Sequence, residues 1–221
     1  MSAIPSATFV SRYRAFAATA ALLEWLALAL QLYLSIQITN ESGQGAWAGV
    51  WIYFGFFTTL TNLLVALALT ATAWGPRGQL SRFLGRPSVY TCIAMSIVVV
   101  GALYNALLRQ LWHPEGWQLV ADVILHDIMP VLFLLYWWFA VPKKNLHWRQ
   151  LGYWLLYPAA YFLYVLARGA VNGWYPYPFL DVSALGYAQV WIDGLAVLLA
   201  FVVVAVLLIA LGRWQARLPT T

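Results

Sequence analysis

The chain has 221 residues, 63% of them hydrophobic and only 9% charged, whereas soluble domains carry about 25% charged residues. That balance excludes an ordinary soluble domain and is that of an integral membrane protein. The net charge of +5 reads as basic cytoplasmic loops rather than as a nucleic-acid surface, and the single cysteine, Cys92, excludes both an internal disulfide and a cysteine metal cluster.

Six apolar runs, each near the ~20 residues that cross a bilayer, fall at roughly 14–38, 48–74, 88–111, 119–141, 148–171 and 186–212. The first follows Arg12 and Arg14 and so resembles a signal peptide. It is long, contains Glu24 and lacks a small-residue cleavage site, so it is read as an uncleaved span. The connections NESGQG, GPRGQLSRFLGRP, HPEG, PKKNLHWR and NGWYPYPFLD are short and rich in Gly, Pro and charge. No stretch is left for a soluble domain, and no internal repeat is visible. The 13 Trp and 13 Tyr suit membrane–water interfaces.

Arg12, Arg14, Arg77, Arg82, Arg86, Lys143, Lys144, Arg149, Arg213 and Arg217 all fall on one side of this arrangement, ten of the twelve basic residues. By the positive-inside rule that side is cytoplasmic. The expectation is an all-α polytopic membrane protein, one domain of six transmembrane helices with both termini cytoplasmic, in a bacterial plasma membrane. Arg109 and Arg168 are the exceptions, at the outer ends of the third and fifth spans.

Polar side chains inside spans need partners, and ionisable ones usually face the bundle interior. In span 2 the stretch FFTTLTNLLVA carries Thr58, Thr59, Thr61 and Asn62. At about 100° per residue, Thr58, Thr61 and Asn62 share one helical face, and Thr59 lies at its border. Helix–helix glue and a functional cluster both fit this pattern. Span 4 holds His126, the one histidine within any span, with Asp122 on the same face and Asp127 pointing elsewhere. Pro130 lacks an N–H, so the His126 carbonyl loses its usual helical donor. Thr58 stands about ten residues into span 2 and His126 about seven into span 4, a depth difference of about 5 Å. Asn105 and Arg109, Arg168, and Gln189 and Asp193 occupy the outer parts of spans 3, 5 and 6. The arginines there are expected to pair with Asp122, Asp127 or Asp193, since a lone buried arginine is costly.

Threonine becomes a useful nucleophile when a general base takes its proton, and histidine has a suitable pKa. A carboxylate beside the ring would hold its tautomer, with Asp122 the first choice and Asp127 the second. Asn62 or an arginine could stabilise an oxyanion. Such a site within the membrane would take its substrate, a lipid ester, from the bilayer. The histidine and scattered carboxylates show no metal-ligand spacing, and no phosphate loop or dinucleotide fingerprint implies a cofactor.

At FFTTLTNLLVAL, LHDIMPVLFLLYWW and YPAAYFLYVLARGAVNGWYPYPFLDV the sequence resembles the androgen-induced protein family of six-span membrane proteins, in its bacterial branch. The resemblance covers nearly the whole chain. It implies a hydrolase with an intramembrane threonine and histidine, acting in animal members on fatty acid esters of hydroxy fatty acids. By motif it places the nucleophile at Thr58, with Thr59 as competitor, and the base at His126. Thr61, Asn62, Asp122, Asp127, Asn105, Arg109, Arg168 and Asp193 are the supporting residues. Acyl transfer is the sibling reaction. A small-molecule or ion transporter, with polar residues continued through the inner half, and a non-catalytic scaffold are the alternatives.

Overall fold

A computed structural model describes residues 7–75 and 78–217, with side chains from Tyr13 onward. Arg77 and the side chain of Arg12, both used above to orient the chain, lie outside these described residues. The protein is all-α, and no strand occurs among the described residues. Six helices are long and apolar enough to cross a membrane: Tyr13–Glu41, Phe57–Trp74, Pro87–Leu108, Gly116–Ala140, Gln150–Asn172 and Val182–Gln215, hereafter spans 1 to 6.

The chain divides into two compact units, with changes of unit between Gln31 and Leu32, Leu60 and Thr61, and Pro142 and Lys143. In the first, spans 3 and 4 pack closely because Gly101 has no side chain. A Cβ on Gly101 would stand 2.9 Å from the His126 carbonyl oxygen and 3.3 Å from the Pro130 ring. Below this contact lies a dry core of Met95, Ile97, Met129, Phe133 and Trp137. Its polar atoms are matched, as burial requires: Trp137 Nε1 donates to Thr91 Oγ1 at 2.9 Å, and Tyr90 Oη to the Ala68 carbonyl at 2.6 Å. Span 1 is tied to span 2 by Trp25 Nε1 to Thr70 Oγ1, 3.0 Å.

Both spans 3 and 4 widen into one π turn each, at Tyr104–Leu108 and Ile124–Ile128. In the first, the Arg109 N–H reaches back five residues to the Tyr104 carbonyl at 2.8 Å; in the second, Met129 reaches Ile124. Pro130 accounts for the second, since its ring crowds the carbonyl four residues earlier and offers that carbonyl no hydrogen. The sequence suggested a kink there; the helix accommodates the proline by widening. π turns concentrate at functional sites because they push side chains out of the regular register and release backbone carbonyls.

In the second unit the apolar run of span 2 is not one helix. A short helix, Ala46–Tyr53, ends, residues 54–56 break the regular pattern, and span 2 begins at Phe57. Backbone groups freed in an apolar setting must find partners within the protein. Here Tyr161 Oη donates to the Gly55 carbonyl at 2.8 Å and Tyr164 Oη to the Phe54 carbonyl at 3.2 Å, while the Phe57 N–H donates to Tyr177 Oη at 3.1 Å. Three tyrosines thus make the break stable. Span 5 stops at Gly173, whose φ of 72° only glycine adopts without strain. Span 6 starts on the Asp181 side chain, which accepts from the N–H groups of Ser183 (2.9 Å) and Ala184 (3.2 Å). Hydrogen bonds hold the half-buried Asp181 carboxyl below its usual range, with the Ser183 hydroxyl the largest cause and these N–H groups adding to it.

Candidate active site

The π turns of spans 3 and 4 carry a cluster of titratable side chains in the first unit. His126 projects from the second turn, and its ring lies flat on Tyr104, with centroids 3.8 Å apart and planes 17° apart. His126 Nδ1 is 3.0 Å from the Asp122 carbonyl and 3.2 Å from Asp122 Oδ1. Both neighbours are acceptors, so Nδ1 carries the ring proton and Nε2 is left as the basic nitrogen. The other carboxylate oxygen, Asp122 Oδ2, accepts the Tyr104 hydroxyl at 2.6 Å. Asp122 is buried and therefore fixed between a phenol and an imidazole. Asp122, the first choice for an orienting carboxylate, thus contacts both the His126 ring and the Tyr104 hydroxyl.

Asp127 points away from His126, as the helical register requires, and serves a second group. It accepts from Asn105 Nδ2 at 2.9 Å and forms an ion pair with Arg109. Asn105 also donates to the Gly101 carbonyl at 2.9 Å. The Asp127 carboxylate raises Arg109 above its already high value. The guanidinium carbon lies 5.3 Å from the centroid of Tyr104, so the ion pair and the stacked pair share one ring. Asn62, fully buried, donates from Nδ2 to the Leu125 carbonyl at 3.3 Å and so braces the π turn next to His126. Its amide nitrogen is engaged on the protein backbone. Thr61 is fully buried in this same unit. So is Glu24, whose two carboxyl oxygens have no hydrogen-bond partner among the described residues.

The remaining candidates stand in the second unit. Thr58 lies in the first turn of span 2 because the helix begins only at Phe57, and not about ten residues in, as the uninterrupted apolar run suggested. It hydrogen-bonds Tyr177 through its hydroxyl and its backbone. Burial pushes the Tyr177 phenol up, and the bonds from Thr58 and Phe57 only partly offset that. Thr59 is buried and Thr58 half-buried. Asp193 accepts from Gln189 at 2.8 Å. Among the described residues neither Asp193 nor Arg168 has an ion-pair partner. Arg168 lies over Trp51, 4.1 Å from the ring centroid, and donates to the Trp51 carbonyl and, at 2.9 Å, to Tyr164 Oη. The arginine–carboxylate pairing expected from the sequence is present at Arg109 and replaced at Arg168 by aromatic faces and neutral oxygens.

Two residues of these settings were not read from the sequence as partners of the candidates, although Tyr177 lies in the segment NGWYPYPFLD. Tyr104 and Tyr177 are two of 13 tyrosines, and each acts on residues far along the chain. A π turn at Tyr104–Leu108 would have pointed to the first, but no proline marks that turn. Comparison with protein-family models, with curated proteins and with solved structures gave no match to this chain.

Proposed function

We propose that this protein is an intramembrane lipid-ester hydrolase of the androgen-induced type, with His126 as general base and Thr58 as nucleophile. The observation that supports it best is the Tyr104–Asp122–His126 arrangement. A buried carboxylate holds the imidazole in one tautomer and would stabilise the imidazolium formed on proton uptake. Asn62 and Asn105 support the two π turns that present it. The choice of Thr58 rests on the motif Phe56-Phe57-Thr58 and on the family resemblance, with Thr59 its competitor.

In this reading the threonine hydroxyl attacks the ester carbonyl while the imidazole takes its proton. The tetrahedral intermediate collapses, the alcohol leaves with that proton, and an acyl-threonine remains. Water, deprotonated by the same imidazole, then releases the fatty acid and restores the hydroxyl. A second alcohol in place of water would make the reaction acyl transfer. Fatty acid esters of hydroxy fatty acids are the substrates to try first, with the enzyme in a bacterial plasma membrane.

The test is labelling of the purified protein with a long-chain fluorophosphonate, followed by esterase assays. Thr58→Ala is expected to abolish labelling, and His126→Ala to lower turnover by about 10²–10⁴-fold, the range for loss of a general base. Persistence of both signals in both folded variants would sink the reading. Loss in Thr59→Ala alone would move the nucleophile by one residue.

A further inference from the structure

We propose that Arg168 is the centre of a binding site for the anionic headgroup of an amphiphile, a single carboxylate or phosphate at the membrane surface. Arg168 is only 4% exposed, near the end of span 5. Three aromatic rings surround its guanidinium carbon, with centroids at 4.1 Å (Trp51), 5.3 Å (Trp174) and 5.7 Å (Tyr164). A guanidinium has five N–H donors, and the hydrogen bonds it makes go to two neutral oxygens, the Trp51 carbonyl and Tyr164 Oη. Nε is buried and has no hydrogen-bond partner among the described residues. No carboxylate among the described residues pairs with this charge.

A purely structural arginine leaves that pattern unexplained. Its bond to the Trp51 carbonyl, in the last turn of Ala46–Tyr53, does staple that helix end. One donor suffices for a staple, whereas an unmatched full charge in a dry site is costly. An incoming anion would meet the charge and the unused Nε–H. The surrounding backbone adds to this. Gly55 lies so close that a Cβ there would be 2.9 Å from Arg168 Nη1 and 2.5 Å from the Trp174 ring. Planar, forked pairing with a carboxylate or phosphate is what arginine does better than lysine. Trp51 is half exposed, in keeping with the tryptophan-rich interface between lipid and water. A ligand seated there would keep its headgroup on the guanidinium and its chain along the apolar spans.

Binding here needs no turnover, so the test stands or falls apart from the hydrolase reading, in which Arg168 is a supporting residue. The experiment is equilibrium binding to the full chain in a neutral detergent, read by native mass spectrometry. Oleate, oleyl alcohol, phosphatidic acid and inorganic phosphate are the probes. The wild type is expected to bind one equivalent of oleate or phosphatidic acid at least about tenfold more tightly than oleyl alcohol, the gain from a charge-assisted pair. Whichever of oleate and phosphatidic acid binds more tightly identifies the source of the anion. Arg168→Lys is expected to lose part of that preference and Arg168→Gln all of it. Equal binding of oleate, phosphatidic acid and oleyl alcohol by the wild type would overturn the proposal without any variant. So would a preference that survives in folded Arg168→Gln, or inorganic phosphate binding as tightly as the lipids.

Discussion

Asp122 makes different contacts through its two carboxylate oxygens, one towards His126 and one accepting from Tyr104. Under the hydrolase reading these contacts separate in a kinetic experiment. Asp122→Asn keeps the shape and removes the charge that would stabilise the imidazolium, so turnover should fall by about 10²–10⁴-fold. Tyr104→Phe keeps the ring stacked on His126 and deletes only the hydroxyl. The carboxylate then loses one charge-assisted bond, and kcat should fall by roughly tenfold. KM should hold in both variants, since neither group is assigned to the substrate. A rise in KM at constant kcat would instead place Tyr104 against the ligand. Asp122 was legible as a candidate because residues four apart share a helical face. Tyr104 was not, because its role depends on a stack between two spans that periodicity does not encode.

At the scale of elements, the least legible features were the irregular ones. Composition shows where apolar runs lie, and all six spans follow from it. It does not show where such a run is interrupted. No proline or charge marks the break before Phe57, which depends on Tyr161, Tyr164 and Tyr177, more than 100 residues away. The contact of spans 3 and 4 is similar, resting on one absent side chain. Gly101→Ala would drive a Cβ against the His126 carbonyl and the Pro130 ring, neither of which can swing away. Overpacking of this kind costs about 1–3 kcal/mol, and thermal unfolding in detergent should show it as a lower Tm. Gly152→Ala, where nothing lies within 4 Å, is the matched control and should leave Tm unchanged or slightly higher. The connection after span 4 gives a pH test. Burial lowers Lys143 to about 8, against about 10.4 in an unfolded chain. Between these values the unfolded state binds more protons than the folded state, so stability rises with pH across about 8 to 10.4. Lys143→Met should flatten that slope; an unchanged slope would assign it to another group.

For the whole molecule, the outward surface of the spans and the charge of their connections bear on how the chain sits in a bilayer. Span 6 exposes Leu195, Leu199, Val203 and Leu207, a stripe with a period of four that suits lipid. Exposed tryptophans gather at span ends, with Trp74 closing span 2, Trp112 and Trp117 flanking the turn between spans 3 and 4, and Trp214 near the end of span 6. Basic residues favour the connections after spans 2 and 4, at Arg82, Arg86, Lys143, Lys144 and Arg149, whereas Glu41 closes span 1, Glu115 stands with Arg109 after span 3, and Asp181 stands before span 6. By the positive-inside rule that asymmetry would put both termini in the cytoplasm, since positive loops resist translocation. It would also set the Arg168 site towards the outer leaflet. The lone Cys92 makes the arrangement directly measurable. In a Cys92→Ser background, single cysteines at Gly43, Glu115 and Tyr175 should react with a membrane-impermeant maleimide in intact cells. Cysteines at Ser81 and Asn145 should react only after the membrane is opened. The reverse pattern would invert the orientation and move the anion site to the cytoplasmic leaflet, where it would face a different pool of lipids.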